Sequence, residues 1–92
     1  MLILTVTPRR DMNESEIKKA IEGHVSTYSV WTIGITDDPE RRKGEHGNPA
    51  VWYEWKADSE DIARNVEKYF IDKGMQGGGG GGDHPNYVYI FL

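Results

Sequence analysis

Residues 32–46 read Thr-Ile-Gly-Ile-Thr-Asp-Asp-Pro-Glu-Arg-Arg-Lys-Gly-Glu-His, a β-branched apolar segment that passes directly into a charged one. With the residues just before it, Tyr28 to Thr36 is dense in Val, Trp, Ile and Tyr, the composition of a strand buried on much of both faces, and it is expected to lie near the centre of a sheet. Asp38 suits a helix N-cap, Pro39 the first helical position and Gly47 the stop, which predicts a short helix over residues 39–46. That helix has no aliphatic residue to bury. A helix polar all round needs a reason other than core packing to be where it is.

Downstream, the Asn48-Pro49 turn introduces a strand over residues 50–56 that carries Trp52, Tyr53 and Trp55. Asp58 or Ser59 can cap a longer helix in which Ile62, Val66, Tyr69, Phe70 and Lys73 follow the helical period and Gly74 ends it. The glycine run over residues 77–82 reads as a loop, expected to be the most mobile internal segment, and residues 86–92 as a closing strand. Upstream, residues 2–7 form an apolar strand stopped by Pro8. Asn13 with Glu16 makes a capping box for a helix bearing Ile17, Ala20 and Ile21 and ending at Gly23. The sum is an α/β (α+β) fold, a small mixed four-stranded sheet flanked by three helices, in one domain over residues 1–92.

Ninety-two residues allow one core and no second domain. The absence of cysteine excludes disulfides, zinc-thiolate sites and thiol nucleophiles. A net charge of -4 argues against broad electrostatic capture of nucleic acid, although a local basic patch survives within an acidic total. The apolar start is broken by Thr5, Thr7 and Pro8 and fits neither a signal peptide nor a membrane span, so a soluble, cytoplasmic protein is expected.

The stretch Thr32 to His46 resembles the motif of the GIY-YIG nuclease domain in which a Tyr-Ile-Gly strand runs through a polar turn into a helix carrying an arginine and, four residues on, a histidine. Ala63 to Phe70 is similar to the family's helix bearing a metal-binding glutamate. The resemblance implies metal-dependent phosphodiester hydrolysis of nucleic acid, DNA or RNA, with no membrane partner. It further implies Glu67 holding one Mg²⁺ or Mn²⁺, Arg42 stabilising charge on the phosphate, and His46 or a tyrosine moving the proton. Arg41 and Lys43 are the accompanying nucleic-acid contacts. The motif's second tyrosine falls on Thr32, so the phenol must come from elsewhere. Tyr28 is the candidate, with Tyr87 and Tyr89 as stand-ins if the closing strand occupies the equivalent place. Glu40 and Glu45 are expected to point away from the substrate. The alternative is a non-catalytic relative that binds nucleic acid or a protein partner on the same scaffold.

Residue chemistry alone gives plainer readings. Arg42 and His46 share a helix face, which suits a phosphate but equally suits a mixed-charge surface helix. Glu67 sits beside the Val66 and Phe70 stripe at the rim of the core, where a lone oxygen ligand suits a water-rich Mg²⁺ and a solvated glutamate is the common case. The glycine run lacks the Gly-Lys-Ser/Thr ending of a phosphate loop. His24, His46 and His84 lack metal-ligand spacing, and no serine carries an elbow signature. Trp52, Tyr53, Trp55, Tyr87 and Tyr89 are core aromatics unless they lie on an open sheet face beside Arg41 and Arg42.

Overall fold

Local signals set the helices. The computed structural model describes residues 11–79 and 82–92, and the strand expected over residues 2–7 lies outside them. Helix α1 (Glu14–Glu22) begins with the full capping box: Asn13 accepts from the Glu16 backbone N–H and Glu16 accepts from that of Asn13, both at 2.9 Å. Helix α2 (Pro39–Glu45) starts at Asp38, whose side chain accepts from the Arg41 backbone N–H. Helix α3 (Glu60–Asp72) is capped by Ser59, and Gly74 takes a positive φ just beyond its end.

The sheet runs β2-β4-β1-β3, with β1 (Thr32–Thr36), β2 (Trp52–Lys56), β3 (Gln76–Gly77) and β4 (Tyr87–Phe91). Strand β4 is antiparallel to both β1 and β2, while β3 adds a parallel pair to β1, so the sheet is mixed. The three helices and four-stranded mixed sheet are the expected fold class, but its fourth described strand comes from a different place. Gln76 and Gly77 had no β-propensity to announce them. They pair with Thr32 and Ile33 because Met75, buried under α3, delivers the chain to the free edge of β1.

The motif strand is interior, as expected, but shorter. Tyr28–Val30 is a 3₁₀ turn closed by the Trp31 N–H on the Tyr28 carbonyl at 3.0 Å. The turn buries Trp31 while leaving Val30 in solvent. Strand alternation then divides the sheet into two faces. On one, Ile33, Ile35, Val88 and Ile90 meet Ile17 and Ile21 of α1 and Ala63, Val66 and Phe70 of α3 in a single core. Burying each of the larger side chains contributes about 1.5–3 kcal/mol. On the other lie Thr32, Gly34 and Thr36, then Tyr87, Tyr89 and Phe91, then Trp52, Glu54 and Lys56. Helix α2 lies against this second face and buries none of its residues.

Candidate functional site

The junction between β1 and α2 fixes the site. Thr36 Oγ1 accepts from the Asp38 backbone N–H at 3.0 Å, and Asp38 caps the helix, so α2 springs from the strand end with Arg42 and His46 turned to the sheet. Both reach the phenol oxygen of Tyr89. Arg42 Nε donates to it at 3.3 Å, and His46 Nε2 lies 3.0 Å from it. An arginine N–H can only donate, so the phenol oxygen accepts from Arg42 and its own proton is free for His46 Nε2.

Two glycines make the space. Tyr89 pairs with Gly34, and a Cβ there would fall on the phenol oxygen and Cζ. On the β3 side, a Cβ at Gly78 would lie 2.6 Å from the same oxygen. Trp52 stacks on the Tyr89 ring with centroids 4.5 Å apart and planes 9° apart, and Trp52 Nε1 donates to Glu54 at 2.8 Å, which holds the indole in that plane. The Phe91 ring lies 4.6 Å from the imidazole of His46. Tyr89 is therefore 0% exposed although it stands on the face without a helical core.

Arg42 is heavily committed. Beyond Tyr89, its Nη1 donates to Glu45 Oε1 at 2.8 Å and its Nη2 to the carbonyls of Gly78 and Gly79 at 2.8 and 2.9 Å. Gly78 is also held through its N–H on the Ile33 carbonyl at 2.7 Å. The start of the glycine run is thus bonded to Arg42 and to β1; Gly80 and Gly81 lie outside the described residues. Glu45 also corrects an expectation: it turns toward Arg42 instead of away, drawn by the charge three residues back on its own helix.

Burial shapes the acid-base properties. It pushes the Tyr89 phenol above its ordinary value, partly offset by the hydrogen bond from Arg42 and reinforced by the charges of Glu67 and Glu45. Burial, then the Arg42 charge, lowers His46, so its imidazole is neutral and free to accept. Burial raises Glu67 on α3, with Arg64 opposing. Among the described residues Glu67 has no hydrogen bond or ion pair, although its charge is felt at Tyr89. No described group of three or more acidic, histidine or cysteine side chains is arranged to hold a metal ion.

The structure brings Arg42 and His46 together, with Glu67 within electrostatic range of the phenol they share. Tyr28 is elsewhere: it packs on the helix side of the sheet, its ring 5.9 Å from that of Phe70. The phenol at the cluster is Tyr89. The signal for it was the alternation of Tyr87, Tyr89 and Phe91 against Val88 and Ile90, but only strand pairing sets Tyr89 opposite Gly34. Arg41 is exposed and paired with Asp37 at 3.1 Å and Glu45 at 3.6 Å. Lys43 lines an open cavity of 430 Å³ with Asp38, Pro39, Glu40 and Glu54, where three carboxylates outweigh one ammonium and disfavour a phosphate. Comparison with family models, with curated proteins and with solved structures finds no match to the chain. Among the described residues no helix is long and apolar enough to cross a membrane.

Proposed function

We propose that Arg42, His46, Tyr89 and Glu67 form the centre of a metal-dependent phosphodiesterase of GIY-YIG type that acts on nucleic acid. The observation that carries the reading is the convergence of an arginine and a neutral histidine on one phenol oxygen. A second support is topological. In the family the leading strand precedes the motif strand by a short hairpin. Here β4 runs antiparallel along all of β1, with Phe91 opposite Thr32 where such a hairpin would close. The phenol absent from Thr32 is then offered by Tyr89.

The chemistry follows from the proton inventory. A phenol with a raised pKa is a poor base by itself, so it works as a relay. As water attacks phosphorus, its proton passes to the Tyr89 oxygen while the phenol proton passes to His46 Nε2, a step that requires the buried phenol to be opened to the attacking water when substrate binds. The bond from phosphorus to the leaving oxygen breaks, that oxygen is protonated from solvent, and the imidazolium returns its proton to water. Arg42 beside the phenol stabilises the charge that develops on the phosphoryl oxygens. Glu67 fits a cation: it is a half-buried hard-oxygen donor with no described ion-pair partner, and burial disfavours its bare charge. Bound there with most of its waters, Mg²⁺ or Mn²⁺ would supply Lewis acidity to the phosphate. Arg41 as a strand contact, and a cytoplasmic setting for this cysteine-free chain, belong to the same proposal; Lys43, outweighed by the carboxylates of Asp38, Glu40 and Glu54, does not.

The non-catalytic alternative has its own support, since four donors of Arg42 are engaged with protein and Tyr89 is sealed from solvent. Cleavage of single- and double-stranded DNA and RNA with Mg²⁺ or Mn²⁺ separates the two. The enzyme reading expects Arg42→Ala to lower the rate about a hundredfold and Glu67→Ala to abolish metal-dependent cutting. Cutting that survives Glu67→Ala sinks the proposed site. Salt-sensitive binding without cutting selects the binding module.

A further inference from the structure

A guanidinium carries five N–H groups in a fixed plane. Around Arg42, three of them meet the Tyr89 phenol oxygen and the carbonyls of Gly78 and Gly79, and Tyr89 and Gly78 are themselves hydrogen-bonded to β1. The Nη1 side differs. It meets Glu45 Oε1 at 2.8 Å, and the Glu45 side chain is 48% exposed at the end of α2. A carboxylate and a phosphate present similar paired oxygens to a guanidinium. Glu45 has a second cation at hand, because Arg41 Nε lies 3.6 Å from its other oxygen.

We infer that Glu45 is an internal stand-in for the substrate phosphate. It holds the solvent-facing side of Arg42 in the free protein and yields that side to an incoming phosphate by turning toward Arg41. The inference rests on the reading of Arg42 as the phosphate-binding group and adds a residue that sets how strongly an anion must bind to gain the site. Glu45 thus screens Arg42 from weak anions, and nucleic acid displaces it through additional contacts.

The test is fluorescence anisotropy of a labelled single-stranded DNA dodecamer in EDTA with the full chain, circular dichroism confirming that each variant is folded. Glu45→Gln is expected to bind about two- to fivefold more tightly than wild type, the equivalent of a surface ion pair no longer competing. Glu40→Gln makes the same charge change on the same helix, away from Arg42, and is expected to leave binding unchanged. In an Arg42→Ala background the gain from Glu45→Gln should vanish. Equal gains from Glu45→Gln and Glu40→Gln overturn the inference in favour of general electrostatics. Arg42→Ala weakening binding with no gain from Glu45→Gln overturns the inference alone. Binding that ignores Arg42→Ala, or no binding by any variant, overturns the reading of Arg42 as well.

Discussion

Replacing Gly34 by alanine tests the geometry on which the site depends. A Cβ at this position would collide with the Tyr89 phenol oxygen and Cζ and would lie 2.9 Å from Cε2. The ring has little room to retreat, because Trp52 stacks on it at 4.5 Å and Gly78 closes on the oxygen from β3. Overpacking of this kind costs about 1–3 kcal/mol. Moving the phenol also breaks its bonds with Arg42 and His46, each worth about 1 kcal/mol. The expected total is roughly 3–5 kcal/mol, no more than the low end of the approximately 5–14 kcal/mol that a chain of this length commands, so the variant still folds. At about 4–8 °C per kcal/mol, Tm should fall by roughly 12–40 °C. Thermal melts followed by far-ultraviolet circular dichroism read this directly. The specific claim is that the cost is a collision with Tyr89, so the same substitution in a Tyr89→Leu background should cost less than about 1 kcal/mol. A Tm within about 2 °C of wild type, or a cost undiminished by Tyr89→Leu, refutes the argument.

Other outcomes follow from the same cluster. Tyr89→Phe keeps the ring and its stacking but leaves Arg42 Nε without its acceptor and His46 Nε2 without its donor; it should destabilise by about 1–3 kcal/mol in urea titrations and abolish metal-dependent cleavage. His46 has a folded pKa below its ordinary 6.5, so the unfolded chain binds the proton more readily. Its contribution is present above pH 6.5 and is lost as pH falls through the folded value; denaturation midpoints should decline on acidification from about that point, and His46→Gln should flatten the decline. Glu67 behaves oppositely, its raised folded pKa making the ionised side chain unfavourable as pH rises above 4.5. Glu67→Gln should therefore raise Tm slightly at pH 7 without metal, while Mg²⁺ or Mn²⁺ should raise the Tm of wild type and not of the variant.

The parts of the fold legible in the sequence are those fixed by near neighbours. The Asn13 capping box, the Asp38 and Ser59 caps and the stripe of Val66 and Phe70 each need only residues within a turn or two, and all are present. Strand β3 was not legible, because two residues with no strand propensity pair only where Met75 brings them to the edge of β1. The choice between Tyr28 and Tyr89 was hidden for the same reason. Tyr28 stands close in sequence to Arg42, whereas Tyr89 is 47 residues away and meets it through the antiparallel register of β4 on β1. Glu45 turns toward Arg42 because attraction between charges three residues apart on one helix sets its place in the free protein, whereas repulsion from a substrate does not.

The same contacts answer why α2 exists where it does. It buries no residue of its own, so hydrophobic packing does not hold it to the sheet. What joins it to the open face is polar: Arg42 to Tyr89, Gly78 and Gly79, and His46 to Tyr89, with His46 also packing against Phe91. The groups proposed to act on a phosphate are therefore also those that dock the helix, and a substitution among them changes position and chemistry together. Arg42 makes this plain. An exposed arginine would be removed at a cost near 0.5 kcal/mol, but one with four donors engaged should cost about 1–3 kcal/mol and loosen the glycine segment as well. Loss of cleavage in Arg42→Ala is thus ambiguous by itself. Glu67→Gln is not, because Glu67 holds no described partner and its removal should leave α2 docked. Stability that rises while metal response and cleavage disappear is the combination that a purely structural cluster does not produce.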